Sequence, residues 1–302
     1  MGTDEIKMPE GYAEMLKAAQ EQAIKAAQAQ AQAMLGNMPG VQFADMEEIQ
    51  KQMQAGMPDM AQIQAMQAQM QGTIQEMMSN PESFCSWEIE KANDGKLDDK
   101  QLYLLAFGAP LFVYNSENVD SYDSQYDVET TKQQMEEWWG IQDHDSAIDT
   151  IQWLFDEGHH AKADAVLQLI LDNADSIPAD LADKYDDVRT ILNYMLENQY
   201  CTTEDIPGSA MAWDLVRVVN VARWTHHCGY IDTAEMWQIM NLAAEASVQN
   251  FASWEEYGKS FAFGRGVWQG DEDDCEAAME IVDTLLKNEE SPWKKFAWNE
   301  KA

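Results

Sequence analysis

Residues 209–230, SAMAWDLVRVVNVARWTHHCGY, constrain this chain more than any other stretch. Wound into a helix, Met211, Leu215, Val218, Val219, Val221 and Ala222 cover most directions, and a helix that is apolar all round belongs in a core. The same stretch carries Asp214, Arg217 and Asn220. Trp213, Arg217, Asn220, Trp224 and His227 recur at helical intervals and share one stripe. A guanidinium in an apolar interior needs partners, because an unpaired buried charge is very costly. The rest of the domain is therefore expected to be arranged around that stripe.

The flanking sequence reads as helix throughout. Asp98–Phe107 predicts a short helix with Leu102, Leu105 and Ala106 inward. Ala109–Tyr114 is a short apolar run that suits a strand or a helix end equally. Residues 115–131 are polar and turn-rich and read as a surface loop; residues 132–139 read as a helix ending at Gly140. Asp145 or Ser146 caps a helix carrying Ile148, Ile151, Leu154 and Phe155. Gly158 ends it, and His159 and His160 at the junction suit the negative end of the helix dipole. Two more helices follow over 161–175 and 181–200, before Ser209 caps the central one. Asp232–Glu235 and Ser253–Glu256 have the spacing of capping boxes. Gly258, Gly264 and Gly266 weaken the second of these helices unless another backbone passes close by. A last helix covers 273–287. No set of alternating strands appears, so the fold class expected is all-α, a multi-helix domain packed around the buried central helix.

Residues 1–80 differ in composition. They hold 13 of the 19 Met and none of the 11 Trp. Gly and Pro break this Met/Gln/Ala-rich extension into about three helical pieces. The clearest seam is Met60, Ile63, Met70, Ile74 and Met77, at the spacing of one helix face. The segment is expected to be a partly helical extension, with that seam open to a partner helix or to self-association. The acidic all-α domain is then 81–302.

The chain carries 19 basic and 54 acidic residues, a net charge of −35. Residues 1–80 hold only 4 and 10 of these, so most of the acid belongs to the domain. Such a surface repels phosphate backbones and argues against nucleic acid as a partner, while a basic protein is steered toward it. Cys85, Cys201, Cys228 and Cys275 are widely spread without a CxxC, which suits free thiols in a reducing compartment. There is no apolar run long enough to span a bilayer and no secretory signal pattern, so a cytoplasmic location is expected.

Several segments taken in order carry a resemblance. WGIQDHDSAIDTIQWLFDEGHH (139–160), AWDLVRVVNVARWTHHCGYID (212–232), EMW (235–237), SWEEYGKSFAFGRGVW (253–268) and SPWKKFAW (291–298) resemble the bacterial family catalogued as domain of unknown function 1266. The resemblance covers about residues 100–298. Its elements match here as Trp213, Asp214, Arg217, Gly229, Tyr230, Ile231, Ser253, Trp254, Tyr257, Gly258, Gly264, Arg265 and Trp268. The family has no assigned chemistry, so the resemblance implies a fold and domain limits rather than an activity.

Two functional readings follow. In the first the chain is a non-enzymatic interaction module, adaptor-like or immunity-like, whose acidic domain binds another, basic protein. In the alternative it is an enzyme or small-anion-binding protein. There Arg217 and Arg265 hold an anion, Asp214 or Glu256 acts as acid or base, and Trp213, Trp224, Tyr257 and Trp268 complete the site. Glu235 and Ser260 lie on the same three helices. Capping accounts for Glu235 and Glu256, and an i, i+3 pairing for Asp214 with Arg217. What separates the readings is whether these charges line an open cavity or satisfy one another. No metal or cofactor is expected: His159-His160 and His226-His227-Cys228 are the only clusters, and adjacent residues on a helix point apart.

Overall fold

Met211–His227 forms the helix around which the domain is built, and nearly every residue of it from Ala212 to Thr225 is buried. The computed structural model describes residues 87–300; the Met60–Met77 seam lies outside them. The described chain runs through α1 (Asp99–Ala106), α2 (Ala109–Tyr114), α3 (Val128–Trp139), α4 (His144–Asp156), α5 (His160–Leu171) and α6 (Ala182–Glu197). It continues with α7 (Met211–His227), α8 (Thr233–Asn250), α9 (Trp254–Gln269), α10 (Glu272–Lys287) and the short α11 (Pro292–Lys295). No strand occurs among the described residues, and the fold is all-α. No helix there is long and apolar enough to cross a membrane.

Helix α7 packs against α4, α8 and α9, and α9 packs along α10. The three glycines of α9 mark the close approaches. A Cβ on Gly258 would meet Val282 Cγ1 at 2.5 Å, one on Gly264 Trp213 Cβ at 2.6 Å, and one on Gly266 Cys275 Cβ at 2.8 Å. The helix accepts poor formers because its neighbours need the space.

The capping signals locate helix starts well. Asp232 accepts from Ala234 N and Glu235 N, and Ser253 accepts from Glu256 N. The cap of α4 is Asp143, with Ser146 at its third position, so the helix begins earlier than Asp145 or Ser146 predicts. The apolar run Ala109–Tyr114 is helical. Ser209 does not occupy the cap position of α7, which is Ala210 and has no capping side chain; it stands one residue earlier, and its Oγ accepts from Met211 N.

A cluster of aromatic rings joins α9 to the last residues of the domain. Trp254 stacks on Trp293 and meets Trp298 edge-on, with ring centroids 5.2 and 4.7 Å apart. Each indole N–H finds a backbone carbonyl: Trp254 donates to Phe296 O, Trp293 to Ala106 O and Trp298 to Phe251 O. Buried indoles that bond in this way fix the path of the chain as well as filling space.

Candidate functional site

Three residues of the α7 stripe, Trp213, Arg217 and Trp224, line an open cavity, while Asn220 turns into the core to donate to Gly108 O. The cavity has a volume of about 1020 Å³, and its walls come from α2, α3, α4, α7, α9 and the loop before α3. This is room for a small organic molecule, since ligand pockets span about 300–1000 Å³. Six Trp line it, together with Tyr114 and Tyr126. Of the eight large apolar side chains most exposed among the described residues, five lie on this cavity: Tyr114, Tyr126, Trp138, Trp153 and Trp268. Exposed apolar surface gathered in one concave place marks a binding site far better than the same residues scattered.

Trp213 and Arg217, one turn apart on α7, form the floor with Arg265 from α9. Both guanidinium groups pack on the Trp213 indole, with Cζ 4.5 Å from the ring centroid for Arg217 and 5.4 Å for Arg265. Arg265 also lies 4.1 Å from the Tyr114 ring. Like charges sharing one ring repel, and each is offset by a carboxylate: Arg217 pairs with Asp214, and Arg265 with Asp274 at 2.5 Å. Burial pulls the Arg217 pKa down to about 10, against the opposing pull of Asp214. The group is still a cation at neutral pH.

Asp214 stands behind the floor, fully buried. Its Oδ2 accepts from the backbone N–H groups of His159 and His160 at 2.9 and 2.8 Å, and from His160 Nδ1 at 2.8 Å. These backbone donors belong to the start of α5, which has no capping side chain of its own. A carboxylate on another helix therefore does the capping. Burial works to raise the Asp214 pKa, but the His160 and Arg217 contacts outweigh it and hold the carboxyl below the usual range. Gly158 makes this approach possible. It has φ +49°, and a Cβ there would run into the Asp214 carboxylate. Both Asp214 oxygens are engaged, so it is a poor candidate for acid–base work.

His159, expected only to suit a helix end, lines the cavity. It is not a bystander at a helix end. Arg217 Nη2 donates to its Nδ1 at 2.9 Å, and its ring packs edge-on with Trp153 and Trp268, centroids 5.1 and 6.0 Å away. Burial, reinforced by the Arg217 charge, depresses its pKa to about 4. The imidazole is neutral at pH 7, and because Nδ1 accepts, the proton sits on Nε2.

Glu117, in the segment expected to be a surface loop, also lines the cavity and is 1% exposed. It pairs with the fully buried Arg223 at 2.5 Å and accepts from Trp224 Nε1 at 3.1 Å. Arg223 in turn donates to the carbonyls of Tyr122 and Asp123. The loop is thus bolted to α7 by a buried cation. Its polar composition hid this, since nothing in the chain near Glu117 announces a partner more than a hundred residues away.

Of the residues singled out from sequence, Trp213, Arg217, Trp224, Arg265 and Trp268 line the cavity together. Tyr257 does not: it is buried in the aromatic cluster around Trp254, donating to Phe107 O. Glu256 does not either, since its carboxylate accepts from Ala252 N at the start of α9. Glu235 caps α8 and meets His144 at the surface, and Ser260 ties α9 to Ser209 and Ala212. The two histidine clusters do not converge: His226 faces Thr233, and His227 meets Tyr126 O.

A model of the family described as "Protein of unknown function (DUF1266)" matches residues 134–298. His159, Trp213, Arg217 and Arg265 all fall inside that span. The chain is similar to "Uncharacterized protein YbeR" of Escherichia coli (strain K12), 24% identical over 58% of this chain and 74% of the relative. It is also similar to "Uncharacterized protein YbeU" of the same organism, 23% identical over 66% of this chain and 84% of the relative. No solved structure matches.

Proposed function

The chain belongs to the DUF1266 family of proteins of unknown function, and from its own cavity we propose that it is a binding protein for a small organic anion. One observation carries this reading. Arg217 and Arg265 are buried at the floor of a tryptophan-lined cavity, with guanidinium N–H groups beyond those their carboxylates accept. A purely structural ion-pair network has no need of an open cavity in front of it, nor of a rim of exposed indoles. The reading is the alternative identified from sequence, now with an open space in front of the charges. It assigns binding and no reaction, since Asp214, Glu117 and Asp274 each have a cation to neutralise.

The test is ligand-induced stabilisation. Small organic anions are screened against the full chain by thermal melting. A ligand binding only the folded state raises the midpoint, by an amount set by its concentration over Kd. Replacing half-buried Gln134 on the cavity wall with Trp fills the space and should abolish the shift. A shift of the same size in that variant would remove the cavity from consideration.

A second reading rests on a separate observation. The acid is concentrated in residues 81–302, 44 acidic against 15 basic residues, and such a field steers a basic protein toward this domain. Low-salt capture of a basic partner that is lost at high salt would support it, and capture unaffected by salt would not.

A further inference from the structure

Resting on the cavity reading above, we infer that the ligand is a planar aromatic monocarboxylate, its carboxylate seated at Arg217, Arg265 and the Nε2–H of His159 and its ring system among the tryptophans.

The deep lining is rich in donors that have no acceptor. Arg217 spends its N–H groups on Trp213 O, Asp214 and His159 Nδ1, and nothing in the described protein takes those of Nη1. Arg265 spends Nη2 on Asp274, and its buried Nε–H has no acceptor. The Trp213 Nε1–H is likewise buried without a partner, whereas the indoles of Trp87, Trp224, Trp254, Trp293 and Trp298 are all bonded. Buried donors in native proteins are normally satisfied, so unsatisfied ones beside a cavity point to an acceptor that arrives with the ligand. His159 adds a further donor. The guanidinium on its Nδ1 leaves the imidazole only Nε2–H to offer. Of the deep polar groups, Glu117 is paired with Arg223 and accepts from Trp224, while Thr131 spends its hydroxyl proton on Asp127 O. A ligand head that must accept from every side is an oxyanion.

The charge balance sets the head's charge. Arg217, Arg265 and Arg223 are matched one to one by Asp214, Asp274 and Glu117. These pairs leave no surplus cation, and Asp149 on the wall adds a negative charge, so a dianionic phosphate would leave more charge uncompensated than a carboxylate. The walls set the body. Eight aromatic side chains line the cavity against two aliphatic ones, Leu111 and Met135. Faces and edges of indoles select flat π-systems, whereas aliphatic chains are better held by branched side chains.

The test is calorimetric titration of the full chain with naphthoate, naphthamide, naphthyl phosphate and decanoate. Naphthoate is expected to bind about tenfold more tightly than each of the others, because a site built of buried donors rejects a head that cannot fill them. His159→Phe should weaken naphthoate severalfold and leave naphthamide unchanged, and His159→Gln, which keeps a donor at the same reach, should restore it. Equal binding of naphthamide, or tighter binding of naphthyl phosphate, overturns the carboxylate head, and tighter binding of decanoate overturns the aromatic body, while the cavity remains the ligand site. Binding of no probe, or binding unaffected by Gln134→Trp, overturns the cavity reading and the assignment with it.

Discussion

Arg217 donates to Nδ1 of His159 across 2.9 Å, so a permanent cation fixes both the tautomer and the charge of a half-buried imidazole. Protonating His159 in the fold would set two cations face to face. Lys184 and His160 add to the penalty, and Asp214 offsets only part of it. The unfolded chain takes up this proton below pH about 6.5, the folded chain only below about 4. Between those values the unfolded state holds more protons, so stability falls as pH drops through that window and His159 contributes nothing further below it. Urea midpoints measured across the window should show this slope. His159→Gln should flatten its share, and an unchanged slope would mean that the imidazole is already charged in the fold.

Asp214 serves two helices at once. Replacing it with Ala strands Arg217 in the core and uncaps α5, a loss of about 3–5 kcal/mol by the usual cost of orphaning a buried charge. Removing both partners, Asp214→Ala with Arg217→Met, should cost less than the sum of the single changes, because no bare charge remains. Urea denaturation of the three variants gives the coupling; additive losses would show that the pair does not interact.

Gly264 sets the distance between α9 and α7. A Cβ there would sit 2.6 Å from Trp213 Cβ and 2.7 Å from the Ala210 carbonyl, and a backbone atom cannot swing aside. Gly264→Ala should destabilise by about 2 kcal/mol, in the range for overpacked cores. It should also weaken ligand binding, because Trp213 and Arg265 move apart. A variant as stable as the parent would show that the helices separate freely.

Cys201, Cys228 and Cys275 are buried, and burial pushes the last two thiols up to about 11 and about 12. The nucleophile is the thiolate, so all three should resist a thiol reagent at neutral pH until the domain unfolds. Mass spectrometry of the labelled native protein checks this. Rapid labelling of any of the three would reveal local opening around it.

Much of the scaffold was legible because it is written locally. Asp232 and Ser253 cap their helices at the expected residues, and the apolar wheel of 211–222 places α7 in the core. The stripe of Trp213, Arg217 and Trp224 pointed to the cavity for the same reason: helical spacing puts these side chains on one face. The rest is long-range. His159 read as a helix-end histidine, since its partner Arg217 is 58 residues away. Glu117 sits in a polar loop held by Arg223, 106 residues further along the chain. Tyr257 and Glu256 share a helix with Arg265 but project elsewhere, a distinction that periodicity alone did not draw.

The aromatic cluster around Trp254 bears on how the protein is made. Trp293 bonds the carbonyl of Ala106, 187 residues earlier, and Trp298 and Phe296 reach back to Phe251 and Trp254. A nascent chain emerging from the ribosome holds α1 long before it holds these rings. Until residue 298 is free, Phe107, Tyr257 and Trp254 lack the indoles that cover them. The core is therefore completed late, and during synthesis the emerging domain presents an aromatic face that chaperones can recognise.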